Sequence, residues 1–288
     1  MLKDLVALTK PRIIRLNLIA AFGGYWVASK WDWDRIASWD LLWMLIGSAL
    51  TMASSCVFNN YLDRELDMKM ARTRDRALPQ NRMTPGFVLG YGIVLGIAGL
   101  AILFLLLNPL SGWLGLLGMF VYVVIYTMWL KRSSTWSTSI GGISGAMPPV
   151  IGYCAVSNDV DMGAWILFAL LFLWQPAHFW SLAIRRKEEY RAAGFPLLPV
   201  VKGVTRTKWQ MLPYILLLIP ASVLMYTYDY VGIYFLILSV GIAVVWFAHA
   251  VTGLKAKDDE RWAKADFMIS INYLMVMFLA MILDTNGV

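Results

Sequence analysis

Asn59, Asp63 and Asp67 recur at intervals of four in "NNYLDRELDMKMARTRDRALP". On a helix that spacing puts one amide and two carboxylates on a single face. An all-oxygen set of this size suits Mg2+, which prefers oxygen ligands and often binds through one or two carboxylates plus substrate phosphates. Arg72, Arg74, Arg76 and Arg82 follow at once. Guanidinium groups fork onto oxyanions through parallel hydrogen bonds. Carboxylates for a metal beside arginines for an oxyanion make a phosphate-handling site. The competing reading is a solvated boundary where loop charges pair with one another. The stripe begins at Asn59, still inside an apolar run, and that favours a site.

A second constellation lies in "FLWQPAHFWSLAIRRKEEYRAAGFPLLPVVKG". Gln175 and His178 fall within an apolar segment, where polar groups are costly and usually functional. Pro176 between them predicts a break in the helix that frees backbone groups. Arg185, Arg186, Lys187, Glu188, Glu189 and Arg191 come next, then Lys202. His178 alone reads equally well as a hydrogen-bonded interhelical histidine. His249, the only other histidine, falls at a similar depth, and a porphyrin is one ligand that two histidines could touch. A third segment, "YTMWLKR", brings Tyr126, Lys131 and Arg132 toward the same side. Lys131 and Arg132 are by default a positive-inside anchor; here they also complete a cationic ring.

These groups need a scaffold, and the composition defines it. Of 288 residues, 59% are hydrophobic and 15% charged, against about 25% charged in a soluble domain. The chain reads as an all-α polytopic membrane protein. Stretches of about 20 apolar residues fall near 13–30, 41–62, 86–107, 113–130, 138–156, 162–184, 210–228, 231–251 and 267–284. With the N-terminus in the cytoplasm, 23 of the 25 Lys and Arg lie in inner segments, leaving Lys30 and Arg35 outside. That asymmetry supports nine transmembrane helices with the C-terminus outside. It also accounts for the net charge of +7 without nucleic acid. Pro148 and Pro149 should kink the fifth span, whose glycines suit close packing. Cys56 and Cys154 fall inside spans and read as packing residues. The opening residues carry scattered charges and no compact apolar region before a cleavage site, so no removable signal peptide is expected.

The first aspartate stripe, "YTMWLKRSSTWSTSIGGISGAMPPVIGY" and "WQPAHFWSLAIRRKEEYRAAGFPLLPVVKG" together resemble the UbiA superfamily of intramembrane prenyltransferases, most closely its haem-farnesylating branch. The resemblance runs from about residue 5 to residue 285. It implies a UbiA-type bundle forming one domain over residues 1–288. It implies transfer of the farnesyl group of farnesyl diphosphate to the 2-vinyl group of haem b, giving haem O. On that reading Asp63, Asp67 and His178 are catalytic. Asn59, Asp63, Asp67 and Glu189 hold Mg2+. Arg72, Arg76, Tyr126, Lys131, Arg132 and Lys202 bind diphosphate, with Arg72 and Arg76 preferred to Arg74 and Arg82 on the resemblance alone. The superfamily's second motif is usually another DxxxD. Arg185 and Glu189 stand at the matching positions here, with His178 upstream, which is similar to the haem branch and argues against a second symmetric metal site. The implied setting is a bacterial plasma membrane, with the site facing the cytoplasm and haem A synthase or a terminal oxidase as the product's recipient. The alternatives are a quinone-type or chlorophyll-type acceptor, a transporter of an anionic substrate, and a haem electron carrier, for which two histidines leave little choice of axial ligand.

Overall fold

In hydrocarbon every backbone polar group must be satisfied within the protein, and a helix does this inside one segment. The computed structural model describes residues 1–287; Val288 lies outside the described residues. The long helices are α1 (Pro11–Ser29), α2 (Trp39–Asp67), α3 (Pro85–Leu107), α4 (Pro109–Ser133), α5 (Ser137–Ser157), α6 (Met162–Arg185), α7 (Val204–Thr227), α8 (Ile233–Thr252) and α9 (Asp259–Leu283). Among the described residues, the eight from α2 to α9 are long and apolar enough to cross a membrane. The first expected span coincides with α1, which carries Arg12 and Arg15 in its opening turns and is not one of those eight. Leu105, Val94, Ile97, Ile237, Met275 and Leu279 are exposed on the bundle's outside, as side chains that meet lipid should be. The protein is an integral membrane protein.

Helix ends follow local chemistry. Pro11, Pro85 and Pro109 each sit in the first turn of a helix, where a missing N–H costs nothing. Asn108 caps α4 by accepting from Ser111 N at 2.8 Å, and Asp161 caps α6 by accepting from Gly163 N at 2.8 Å. Several helices outrun the expected spans. α2 continues to Asp67, α7 begins at Val204 rather than 210, and α9 begins at Asp259 rather than 267. Hydropathy marks where lipid lies, whereas a helix continues through polar residues that find partners. Lys208 does so by donating to Gly253 O at 2.6 Å and to Asp259.

Small residues let backbones meet. A Cβ on Gly24 of α1 would lie 1.9 Å from Pro149 O of α5, and one on Gly152 of α5 would lie 1.8 Å from Ala21 O of α1. α5 stays helical through Pro148 and Pro149. α6 is likewise continuous through Pro176, so the expected break there does not occur. Neighbouring helices can re-satisfy the groups a proline frees. Gln175, beside Pro176, bridges two helices, donating to Gly142 O of α5 at 3.0 Å and to Leu171 O of its own helix at 3.1 Å, in a notch where a Cβ on Gly145 would lie 2.0 Å from its Oε1. Gln175 is thus a hydrogen-bonded seam residue between α5 and α6.

The two ends of the bundle differ. At one, the short helix Leu2–Thr9 packs through Leu8 against Val57, Ala77, Leu78 and Val88. The loop after α2 meets the segment after α6, which carries short helices Lys187–Ala192 and Leu198–Val201, through Met70, Ala193 and Phe195. At the other end, Trp31 Nε1 donates to Thr285 O at 2.8 Å and Asn286 Nδ2 donates to Asp229 Oδ1 at 2.6 Å.

Candidate active site

α2 delivers its oxygen stripe into the end bearing Leu2–Thr9. Asp63 is 2% exposed and Asp67 5% exposed. A buried carboxylate is tolerable only if paired and hydrogen-bonded, and both are. Asn59 Nδ2 donates to Asp63 Oδ2 at 2.9 Å. Lys131 Nζ donates to the same oxygen, and Arg132 Nη2 reaches Asp63 Oδ1 at 3.4 Å and Leu62 O at 2.5 Å. Arg76 Nη1 donates to Asp67 Oδ2 at 2.7 Å. Thr73 holds the loop's entry by donating to Asp67 O at 2.9 Å.

α4 positions Lys131 by an irregularity. Its second half, Val121–Leu130, is π-helical, a form that recurs at functional sites. The wider register shows in Thr127, whose hydroxyl donates to Tyr122 O, five residues back, at 2.8 Å. The same hydroxyl accepts from Asn59 Nδ2 at 3.2 Å. Tyr126 presents its ring 5.9 Å from Lys131 Nζ, and Phe195 presents its ring 5.0 Å from the same atom. Arg72 lies 5.9 Å over Tyr190. Arg72 and Arg76 also line a cavity of about 230 Å³ with Asp4, Asn60, Asp75 and Arg82.

The structure therefore brings together Asn59, Asp63, Asp67, Arg76, Lys131 and Arg132, with Arg72 and Tyr126 at the rim. Arg82 is committed to Asp4 at 2.9 Å, and Arg74 is exposed. Glu189 is half-exposed and paired with Arg186 at 3.4 Å, and Glu188 pairs with Arg191. Among the described residues, no three His, Cys, Asp or Glu side chains gather as a metal cluster, so Glu189 does not join the aspartates. Lys202 is exposed and has no side-chain partner among the described residues. His178 lies on α6 against α9, with Nδ1 2.7 Å from Ser270 Oγ. His249 stacks on Trp262 at 5.9 Å.

Sequence reasoning missed Lys10, Thr127 and Ser270. Lys10 Nζ donates to Asn59 Oδ1 at 2.5 Å from a left-handed position, φ 54°, between two helices. Asn60 holds that junction by donating to Leu8 O at 2.9 Å. The only signal for Lys10 was a lysine before a helix-opening proline.

The donor set fits a hard divalent cation. Asn59 Oδ1 and both carboxylates are oxygen donors, and Asp67 Oδ1 accepts no hydrogen bond among the described residues. With one amide and two carboxylates, further ligands would come from phosphate or water, as Mg2+ prefers. Four cationic side chains around them could take a polyanion.

The sequence model of the UbiA prenyltransferase family matches residues 17–280. Protoheme IX farnesyltransferase 1 of Bacillus subtilis (strain 168) is 45% identical over 290 residues, covering 98% of this chain and 90% of that protein. Protoheme IX farnesyltransferase of Salmonella typhimurium is 42% identical, covering 99% and 95%. A solved structure concerning digeranylgeranylglyceryl phosphate synthase superposes with a TM-score of 0.83 at 19% identity, covering 98% of both chains. A UbiA homolog from Archaeoglobus fulgidus bound to GPP and Mg2+ gives 0.62 at 15% identity, covering 96% and 99%. At such identities these two structures establish the fold. The matched family model and the full-length likeness to curated relatives establish more: the chain belongs to the UbiA prenyltransferase family.

Proposed function

We propose that this protein transfers the farnesyl group of farnesyl diphosphate to the 2-vinyl group of haem b, forming haem O. The observation that carries the reading is the buried stripe of Asn59, Asp63 and Asp67 met by Lys10, Arg76, Lys131 and Arg132. The names of the 42–45% identical relatives supply the acceptor.

Diphosphate leaves an allylic carbon when the charge growing on its oxygens is stabilised by preorganised cations. Arg76, Lys131 and Arg132 are held in place by the aspartates, so little reorganisation remains for the reacting state. Lys10 and Arg72 extend the same field. Asn59, Asp63 and Asp67 would hold Mg2+, which when bound adds positive charge at the leaving oxygens. As the C–O bond breaks, the vinyl π electrons of haem b attack C1 of the farnesyl cation. Water then adds to the new carbocation beside the porphyrin and releases a proton, giving the hydroxyethylfarnesyl side chain and diphosphate. His178 is assigned to that second half of the reaction from the resemblance, as a contact to water or porphyrin. Lys202 and Glu189 are assigned from the resemblance; both are exposed, which supports a role on the outer margin of the site.

We further propose one domain over residues 1–288, nine crossings with the N-terminus in the cytoplasm, and a site opening on the cytoplasmic face of a bacterial plasma membrane. Cytoplasm supplies diphosphate esters and Mg2+, while both apolar substrates partition into the bilayer.

The test is incubation of purified protein with haem b, farnesyl diphosphate and Mg2+, read by mass spectrometry of the porphyrin. Haem O is expected, and it should disappear in Asp63→Ala and Asp67→Ala variants that still insert. Near-normal turnover in either variant at saturating Mg2+ would overturn the metal assignment. A prenylated quinone precursor in place of prenylated haem would overturn the acceptor.

A further inference from the structure

α6 and α9 are joined by polar contacts that farnesyl-diphosphate chemistry does not use. Ser181 Oγ lies 2.6 Å from Asp266 Oδ2 and Trp174 Nε1 donates to Ser270 O at 2.7 Å, while from α8 Trp246 Nε1 donates to Asp266 Oδ1 at 3.1 Å. One turn beyond Asp266, Ser270 Oγ meets His178 Nδ1 at 2.7 Å. These bonds lock the seam, and one of them also fixes a protonation pattern.

Ser270 Oγ lies 2.6 Å from Phe267 O, to which it donates. A hydroxyl has one proton, and a carbonyl oxygen can only accept. With that proton committed to Phe267 O, His178 Nδ1 must be the donor in its bond to Ser270. The neutral imidazole then carries its lone pair on Nε2. Nε2 has no protein partner among the described residues, yet it is not one of the sealed, unpartnered buried atoms. The ring is held on both faces, by Trp174 at 4.4 Å and Phe267 at 4.5 Å. A rigid imidazole with an open Nε2 lone pair, its other nitrogen tied to an oxygen, is how a protein presents a histidine to a metal.

Arg185 lies seven residues further along α6, roughly 10 Å along the axis at 1.5 Å per residue. Its guanidinium sits 5.7 Å over the Phe267 ring that also stacks on His178. Its Nε is buried without a partner, and no carboxylate pairs with it among the described residues. A fixed imidazole and an uncommitted guanidinium therefore share one helix stripe, separated on the scale of a porphyrin radius plus a propionate arm.

We propose that this stripe is the haem seat: His178 Nε2 ligates the haem iron, Ser270 fixes the tautomer that makes this possible, and Arg185 receives a propionate carboxylate. The inference rests on the haem-farnesylating reading above and deepens it. Ser270 is a positioning residue, acting through His178.

The test is titration of the full-length protein in detergent with haem b, followed by Soret absorption and electron paramagnetic resonance. The wild type should show imidazole ligation. His178→Ala should lose that signature and regain it when free imidazole is added. Ser270→Ala should weaken haem b binding by about tenfold, the low end for loss of an outer partner to a metal ligand, and Ser270→Thr should restore it. Arg185→Leu should weaken binding of haem b but not of its dimethyl ester, which has no free propionate. A wild-type spectrum without histidine ligation would overturn the proposal whatever the variants do. So would an Arg185→Leu defect of equal size with the ester. If the wild type forms haem O but lacks the ligation signature, only this inference falls. If it forms no prenylated porphyrin, the functional reading falls first.

Discussion

Lys131 and Lys202 were equals as sequence positions, two lysines on the basic side of the chain, and the structure separates them. Lys131 is mostly buried, donates to Asp63, and lies 5.0 Å from the Phe195 ring. Lys202 is exposed with no side-chain partner among the described residues. A preorganised cation at a developing oxyanion is worth far more than one that must reorganise from solvent. Lys131→Ala should therefore lower kcat/KM for farnesyl diphosphate by about 100- to 1,000-fold, the range seen when one such donor is removed. Lys202→Ala should lower it by less than about tenfold, the size of a rim charge that acts mainly through encounter. Steady-state kinetics at fixed haem b checks both, and equal losses would mean that the segment after α6 closes over the diphosphate. The carboxylate stripe was legible because a period of four on a helix is a local pattern. Lys10 was not, since it meets Asn59 from 49 residues away and looks like any boundary lysine. Thr127 was hidden by the π-helical register of Val121–Leu130, which no apolar periodicity signals.

At the scale of elements, α1 and α5 approach so closely that backbone touches backbone. Gly24→Ala and Gly152→Ala would each drive a methyl into a carbonyl oxygen, at 1.9 Å and 1.8 Å before relaxation. Overpacking of this kind typically costs about 1–3 kcal/mol, so both variants should melt earlier in detergent. Gly90→Ala on α3 meets nothing within 4 Å and should be neutral or slightly stabilising, because alanine favours helix by up to about 1 kcal/mol. Similar losses in all three would show that the contact is not what holds α1. The short Leu2–Thr9 helix makes a second case. Its Asp4 carboxyl is held below the ordinary carboxylate range, first by the hydrogen bond from Arg82 and then by Arg82's charge. A depressed acid stabilises above its unfolded value and loses that stabilisation as pH falls through the folded one. The clamp is thus intact at neutral pH and released only by acid. Arg82→Ala should raise amide exchange across Leu2–Thr9 at neutral pH and leave α9 unchanged. The spans themselves were legible from hydropathy, but their ends were not. Polar residues such as Lys208 and Asp259 extend helices by finding each other, and α6 runs on through Pro176 while Gln175 pins it to α5.

For the whole molecule, the arrangement of the ends bears on α1, the helix whose composition alone does not qualify it as a span. Leu2–Thr9 is tied to the aspartate end through Leu8, Asn60 and the Asp4–Arg82 pair. The C-terminal residues Thr285 and Asn286 are tied to Trp31 and Asp229 at the opposite end. Chain ends tied to opposite ends of the bundle support the proposed odd number of crossings, nine rather than eight. On that proposal α1 is the ninth crossing, stabilised by burial against α5 rather than by its own hydropathy. The 23 of 25 basic residues assigned to the inner segments favour the proposed orientation, with the N-terminus in the cytoplasm. The proposed arrangement would let farnesyl and porphyrin stay among the helices while the leaving diphosphate faces water. Impermeant maleimide labelling of intact cells tests it with two single-cysteine additions on either side of α1, Lys3→Cys and Asp34→Cys, both at exposed positions. The native Cys56 and Cys154 are buried and give little background. Asp34→Cys should label in intact cells, and Lys3→Cys should label only after permeabilisation. Equal labelling of the two before permeabilisation would mean that α1 does not cross, and the reverse pattern would place the aspartates outside, away from the compartment that holds diphosphate esters and Mg2+.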